Sequence, residues 1–464
     1  MARGRPHRSL WLHEAGVTPA LDPLRGRVRA DVAVVGGGYV GLWTALRIKE
    51  LAPETDVVIL EADVCGGGAS GRNGGFVLSW WPKISSLVAL CGEAEAMRLV
   101  RASEDAITTI GDFCRAKAPA ADFRQAGWLW TATSSAQDGA WAGVVDVSER
   151  LRPGAFTVLE PAEVARRSGS ASHLAGVLEH SGGTVHPGHL VRALRAEALD
   201  AGVRIFEHSP VRGLARTGVP VVSTASGRVV ADRVVVATNA WAAGLRELHT
   251  SLFVISSDMI TTAPIPGRLA EIGWTDGVGV TDSQMLVCYY RTTGAGRVAF
   301  GKGGWSIGLG GWMPPSMQRH RGRARLVEAD FRRYYPMLRD VPITHDWAGP
   351  IDRSHNSLPL IDWLNRDRTI AYGVGWSGNG VGPSVVGGRV LASLALGRDD
   401  EWANCGLVGA PRRRFPPDPV RYVGAHLVRE AIVRKERAEA LELAPGRIAT
   451  ALSGLAPAGL EDKS

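Results

Sequence analysis

Asp31-Val-Ala-Val-Val-Gly36-Gly37-Gly38-Tyr39-Val40-Gly41-Leu42 is the stretch from which the rest of the chain is read. Val32 to Val35 is a short valine-rich run suited to a strand buried on both faces. Gly36-x-Gly38-x-x-Gly41 follows at once, and Leu42 to Leu51 reads as a helix. A second strand, Val57 to Leu60, ends at Glu61 and Ala62. Gly36 permits a tight turn, Gly38 lets the backbone approach a pyrophosphate, and Gly41 lets helix and strand pack closely. Tyr39 and Val40 lie between the second and third glycines, just before the helix, whose free N–H groups and positive dipole end favour phosphate. Glu61 is placed to accept hydrogen bonds from ribose hydroxyls. Strand, glycines, helix, second strand and acid in this order predict a Rossmann-type dinucleotide-binding α/β fold. The alternative is a glycine-rich structural turn.

A second Gly/Ser-rich loop comes directly after the acid: Cys65-Gly-Gly-Gly-Ala69-Ser70-Gly71-Arg72-Asn73-Gly74-Gly75-Phe76. Such a loop suits the far end of a long cofactor and has no use there in a nicotinamide dehydrogenase. With it, the Gly36–Gly75 stretch resembles the D-amino-acid-oxidase-type flavoproteins, which include glycine and sarcosine oxidases. The γ-glutamylputrescine oxidase-like members are the most similar, sharing Ser-Leu-Trp-Leu (here Ser9 to Leu12) and Ser-Gly-Arg-Asn-Gly-Gly. The resemblance implies bound FAD.

Three later segments fit the same pattern. Thr184-Val-His186-Pro187-Gly188-His189-Leu190 enters a helix with Pro in its first turn, and a strand-like run, Val203 to Val211, lies downstream; the resemblance implies that this region closes over the adenine side. Arg233-Val-Val-Val-Ala237-Thr238-Asn239-Ala240-Trp241 is a buried strand ending in small residues. Gly373-Val-Gly375-Trp376-Ser377-Gly378-Asn379-Gly380-Val381-Gly382 precedes a Gly/Ala-rich helix and resembles the family's C-terminal flavin loop. There, backbone N–H groups and a helix start would stabilise negative charge on the pyrimidine edge of the reduced ring. The cofactor set implied is thus Gly36, Gly38, Tyr39, Val40, Gly41, Glu61, Ala62, Ser70 through Gly75, Val211, Ala237, Thr238, Asn239, Trp241 and Gly378 through Val381. No cysteine matches a covalent-attachment motif, so the FAD is expected to be non-covalent.

The matches span roughly residues 9–398. They imply a discontinuous FAD-binding domain (28–82, 181–248 and 346–398) and a mixed-sheet α+β substrate domain (83–180 and 249–345). In the latter, Tyr289-Tyr290-Arg291 followed by Arg297 to Lys302 reads as a hairpin. Residues 399–464 are expected to form a basic helical extension, with Asp418-Pro419 as N-cap and first turn. An apolar stripe of Val423, Leu427 and Ala431, with Val428 and Ile432, is expected to dock that extension on the body.

The resemblance implies oxidation of a C–H bond beside an amine nitrogen: hydride to flavin N5, an imine, hydrolysis to a carbonyl, and reduction of O2 to H2O2. Amino-acid oxidases of the family carry an arginine in a Gly-x-Arg-Pro-x-Thr-Pro pattern that clamps the substrate carboxylate. Here the stretch is Gly349-Pro-Ile351-Asp352-Arg353-Ser354-His355-Asn356-Ser-Leu-Pro359, with Ile351 where that arginine would stand. This favours an amine over an amino acid, although Arg353 lies only two residues away. The alternative is an amino-acid oxidase (glycine, D-amino acid or sarcosine-like) or a dehydrogenase with another acceptor. His355 is a candidate proton acceptor, or a structural histidine. The resemblance to sarcosine-oxidase-type relatives, which place a lysine over the flavin, makes Lys302 a candidate oxygen-activating cation, although Ala299 stands at the aligned position; the alternative is a solvated strand-end lysine. Trp80 and Tyr290 are candidates for the substrate pocket, with a core role the alternative.

Composition bounds the rest. The chain has 464 residues, 45% of them hydrophobic, and a net charge of +7 concentrated in the basic stretches 1–29 and 411–437. These stretches read as solvated surface, with a nucleic-acid or anionic-lipid arm the alternative. Only six lysines stand against 47 arginines, so a single arginine carries little weight. No apolar run approaches a membrane span or a secretory signal, and a cytoplasmic protein is expected, with a homo-oligomer allowed. The cysteines (Cys65, Cys91, Cys114, Cys288 and Cys405) form no CxxC pair, and no metal site is expected. Three other classes remain: an aromatic-hydroxylating monooxygenase, whose C-terminal Gly-Asp-Ala loop the 375–382 segment does not match; an RNA-modifying relative, for which no RNA-binding motif is seen; and a non-catalytic flavoprotein.

Overall fold

The computed structural model describes residues 9–459 and 461–463; Arg3, Arg5 and Arg8 of the basic N-terminal stretch lie outside them. Gly26–Val35 is the central strand of the first sheet. It pairs in parallel with Val57–Leu60 on one side (Val32 opposite Val57) and with Gly227–Val236 on the other (Val35 opposite Val236). Arg204–Phe206 extends the first flank, and Ile370–Val374 then Leu360–Trp363 extend the second. Side-chain alternation explains the valine run. Val32, Val34, Val57 and Ile59 feed the core on one face, whereas Ala33, Val35, Val58 and Leu60 feed the core on the other. Helices Tyr39–Leu51 and Pro383–Ala395 pack together on the first face. A Cβ at Gly388 would lie 2.7 Å from that of Trp43, so this glycine sets their approach.

The second sheet runs in the order Ile343–Arg353, Phe253–Thr262, Val298–Ile307, Cys288–Thr292, Gly279–Asp282, Trp128–Ala132, Ala175–Glu179, Phe156–Leu159. All its pairs are antiparallel except Gly279–Asp282 with Trp128–Ala132. Helix Arg321–Tyr334 covers its outer face through Val327, Phe331 and Tyr334. The mixed α/β architecture with two sheets is the one read from the sequence.

Details differ. The central strand starts at Gly26, not Val32, and its helix at Tyr39, not Leu42. The Val203–Val211 run yields a strand only over 204–206. There the Glu207 side chain turns in to pair with Arg195 (2.9 Å) and to accept the Cys65 N–H (2.8 Å). The 343–353 strand belongs to the second sheet, held along its length by Phe253–Thr262, so the first sheet resumes at Leu360 rather than at 346. In the extension, Asp418 does not cap the Val420–Glu439 helix; its carboxylate pairs with Arg421, and Pro419 holds the cap position. The docked stripe is also turned. Val423 and Leu427 are 56% and 60% exposed, and the inward face carries Gly424, Ala425, Val428 and Ile432. Among the described residues no helix is long and apolar enough to cross a membrane.

Candidate active site

A cavity of about 1720 Å3 is lined from both sheets. Small-ligand sites are roughly 300–1,000 Å3, so this one has room for a dinucleotide with a second ligand beside it. At one end the central strand delivers Gly36, with φ +111°, and the helix start delivers Gly38, Tyr39 and Val40 to the lining. A Cβ at Gly41 would stand 2.0 Å from the Gly36 carbonyl oxygen. Gly41 therefore lies behind the turn, as a packing residue and not a lining one.

Glu61 and Ala62 line the same end, as does Val211. Glu61 accepts N–H bonds from Gly37 (2.8 Å) and Asp63 (2.9 Å), and burial pushes its carboxyl up. The second glycine loop is tied to the first: Tyr39 N–H donates to the Ser70 hydroxyl (2.8 Å). Ser70, Arg72, Asn73 and Gly74 line the cavity. The Asn73 side chain folds the loop, donating to the Ser70 carbonyl and accepting from Gly75 N–H, both at 2.8 Å. Gly71 and Gly75 do not line; a Cβ there would meet the carbonyls of Gly66 (2.4 Å) and Val185 (2.3 Å). Ala237, Thr238, Asn239 and Trp241 close the adjoining wall, and Gly378, Asn379, Gly380 and Val381 come to the lining from the loop before the 383–395 helix. Asn379 is held by its side-chain amide, which donates a hydrogen bond to the Ser79 carbonyl (3.1 Å).

Asp352 organises this region and was missed in the sequence. It is fully buried, accepts from the Asn239 amide (2.9 Å) and from Gly375 N–H, and its own carbonyl accepts from Ser377 N–H (2.9 Å). One carboxylate thus ties the 237–241 turn to the C-terminal loop. Burial raises its pKa to about 7, against the N–H bonds that lower it. A lone aspartate beside an expected arginine position gave no sequence signal for this.

The second sheet shows its inner face to the cavity through Ile255, Ser257, Tyr289, Gly303, Ile307 and Ile351. Ser257 and Tyr289 share a hydrogen bond of 2.6 Å. Strand parity decides which candidates reach the cavity. Tyr290, one residue from Tyr289, points to the other face. Its ring stacks on Phe300 at 4.8 Å, its hydroxyl meets His173, and it does not line. Lys302 pairs across strands with Asp258 and Cys288 and points the same way. Its ammonium donates to Gln284 (2.7 Å) and bridges to Asp330 of the outer helix (3.1 Å). Trp80 is buried in the core of the first domain face and does not line either.

Arg353 and His355 do line the cavity. The half-buried Arg353 donates from Nη2 to the Ser357 hydroxyl (2.8 Å) and to the Ala458 carbonyl, while its Nε has no hydrogen-bond partner among the described residues. His355 sits against Phe415 at 5.8 Å, and partial burial with the Arg413 charge nearby lowers its pKa. The 420–439 helix, expected only to dock on the body, supplies Gly424, Val428, Ile432 and Glu436 to the lining.

The donor set fits FAD. Bare backbone at Gly36 and Gly38 with the helix start suits a pyrophosphate, Glu61 and Val211 an adenosine, and the 72–74 and 378–381 loops a ring system. Comparison with known proteins agrees. The family model described as "FAD dependent oxidoreductase" (DAO) matches residues 31–394. Gamma-glutamylputrescine oxidoreductase of Escherichia coli (strain K12) is 30% identical over 427 residues, covering 90% of this chain and 96% of that one. Glycine oxidase of Geobacillus kaustophilus (strain HTA426) is 24% identical over 383 residues, covering 79% and 93%. A crystal structure of glycine oxidase from Geobacillus kaustophilus superposes with a TM-score of 0.67 at 20% identity, over 80% of this chain and 96% of that one, a likeness of fold. The chain belongs to the DAO family and is an FAD-dependent oxidoreductase.

Proposed function

We propose that this enzyme oxidises the C–N bond of an amine rather than of an α-amino acid. Bound FAD supplies a hydride acceptor, and the protein supplies position and electrostatics. The observation that carries the choice is at the 343–353 strand: Ile351 occupies the lining where the family's carboxylate-clamping arginine would stand, while the nearby Arg353 spends its Nη2 on Ser357 and Ala458. A substrate carboxylate finds no committed bidentate partner there. The E. coli relative named gamma-glutamylputrescine oxidoreductase is in line with this reading. The first sheet and its helices hold the FAD, without a covalent bond: Cys65 is buried behind Gly37 and outside the lining. The inner face of the second sheet holds the substrate. His355 lines the cavity, with burial and the Arg413 charge lowering its pKa, and is the group we assign to take a proton from a substrate ammonium.

The second reading concerns the electron acceptor. Lys302 faces away from the cavity, which favours a dehydrogenase over an oxidase that uses this lysine to activate oxygen. The experiment is steady-state turnover of primary and secondary amines beside glycine and D-amino acids, with O2 and with an artificial acceptor. Higher kcat/KM for amines supports the proposal; equal values for both classes reject it. Peroxide formation at a comparable rate to dye reduction identifies an oxidase.

A further inference from the structure

Helix 420–439 lies outside the family-matched stretch 31–394, yet it supplies one side of the cavity lining. Charged side chains stand in that lining, and most of them already have partners. The Lys435 ammonium pairs with Glu439, and Arg429 donates to the Trp305 carbonyl (2.8 Å). Further along the chain, the Asp462 carboxylate holds Lys83, and the Lys463 ammonium donates to the carbonyls of Ser283 (3.1 Å) and Gln284 (2.5 Å).

Glu436 differs. It lines the cavity and is only 9% exposed. One carboxylate oxygen accepts the Leu286 N–H (2.8 Å), which fixes the direction of the group. The other oxygen accepts no hydrogen bond from the described residues. The charged groups that bear on Glu436 are Lys302, Lys463 and Asp282. Lys302 is engaged by Gln284 and Asp330, Lys463 by its two carbonyls, and Asp282 is itself an anion. None of them completes the second oxygen. Glu461 adds to the same excess of negative charge. It lines the cavity, is 1% exposed, and neither of its oxygens has a hydrogen bond among the described residues. Its ion-pair partner, Lys463, stands 3.6 Å away and also faces Glu436. An ionised carboxylate is costly to bury unless it is paired, so these two keep the capacity to take a cation that enters the cavity.

The position suits a substrate. Leu286 precedes Tyr289 by three residues, a chain path of at most roughly 10 Å. The Tyr289 ring packs on Gly74 of the second glycine loop, where a Cβ would stand 2.8 Å from it. Glu436 therefore lies along the second sheet from the loop that suits the flavin ring, on the same cavity.

We propose that Glu436 binds a second cationic group of the substrate, so that the amine oxidised is one carrying another ammonium further along its chain, as an α,ω-diamine does, with Glu461 adding negative charge beside it. This choice of substrate rests on the amine-oxidation reading.

The test compares 1,6-diaminohexane with n-hexylamine, and 1,4-diaminobutane with n-butylamine, on the FAD-loaded wild type and on Glu436→Gln. Glutamine keeps an oxygen for the Leu286 N–H and removes the charge. Binding is measured by calorimetric titration of the dithionite-reduced holoenzyme without oxygen, so that no turnover intervenes. A hydrogen bond to a charged group is worth roughly tenfold or more in affinity. In the wild type at least one diamine should bind about tenfold or more tightly than the monoamine of the same length, and in Glu436→Gln that ratio should fall toward one. In turnover the variant should lower kcat/KM for the diamine relative to the monoamine, chiefly through KM. Equal affinity of the wild type for diamine and monoamine at both lengths overturns the proposal, and this comparison needs no variant to fold. A folded, FAD-loaded Glu436→Gln enzyme that keeps the full preference overturns it too. If neither kind of amine bleaches the flavin of the oxidised wild type, the amine reading falls, and the binding ratios still decide the cation site.

Discussion

Asp352→Ala removes the acceptor of two donors, the half-buried Asn239 side-chain amide and the buried Gly375 N–H. Asp352 itself is fully buried, so water does not replace the lost partner readily. The buried Gly375 donor left unpaired costs about 1–3 kcal/mol, and the half-buried Asn239 amide adds a smaller cost. The cost falls on the 237–241 turn and the 375–381 loop, which both line the cofactor cavity. If FAD binding requires both to be in place, even 2 kcal/mol weakens affinity about 30-fold. Asp352→Asn keeps one acceptor oxygen and turns a donor toward the second N–H, so it should fall between wild type and alanine. The assay is titration of apoprotein with FAD, followed by flavin fluorescence, beside the ratio of 450 to 280 nm absorbance after gel filtration. FAD affinity of Asp352→Ala within about threefold of wild type, a difference under 1 kcal/mol, would refute the claim that this carboxylate holds the site together.

Three further outcomes follow from the same geometry. Burial lifts the Asp352 carboxyl to about 7, above the ordinary value near 4; its contribution to stability is therefore fully present at low pH and is lost as pH rises through about 7. The melting temperature of wild type should accordingly fall more between pH 5.5 and 8 than that of Asp352→Asn, and parallel pH curves would contradict the assignment. Lys302→Met breaks a buried pair with Asp330 and should cost about 3–5 kcal/mol of unfolding free energy in denaturant titration. It should leave the rate of flavin reoxidation by O2 unchanged, and stopped-flow reoxidation that slows tenfold or more would place Lys302 in oxygen chemistry after all. Ile351→Arg puts a guanidinium on the cavity wall and should raise kcat/KM for D-alanine by about tenfold or more relative to an amine; no gain would show that the 351 position does not face the substrate carboxylate.

The parts of this fold that were legible in the sequence are those with local signatures. Val32–Val35, the three glycines and Glu61 declare themselves because each residue type answers one local requirement, a doubly buried strand, a turn, a close approach, an acceptor. The Ser70–Gly75 loop was legible for the same reason. What failed were questions of face and of distant contact. Tyr289 and Tyr290 are both aromatic and adjacent, and nothing local says which one faces the cavity; the register against Gly301 and Phe300 decides it. Lys302 failed on the same parity. Gly41 packs helix against strand as its place in the motif implies, whereas Gly71 and Gly75, expected at the cofactor, serve the packing behind the loops, a distinction that rests on which carbonyl lies opposite. The roles of Asp352 and of the 420–463 segment depend on partners about 110 to 380 positions away, such as Asn239 and Lys83. Of the apolar stripe expected on the 420–439 helix, Ala431 and Ile432 are buried and Val428 reaches the cavity, whereas Val423 and Leu427 face solvent.

The most direct test of the account is anaerobic titration of the purified holoenzyme with an aliphatic amine, followed at 450 nm, with glycine and D-alanine as parallel titrants. The account predicts bleaching of the oxidised flavin by the amine, with little bleaching by the amino acids at the same concentration. Bleaching by the amino acids alone, or by none of the three while FAD remains bound, would contradict it.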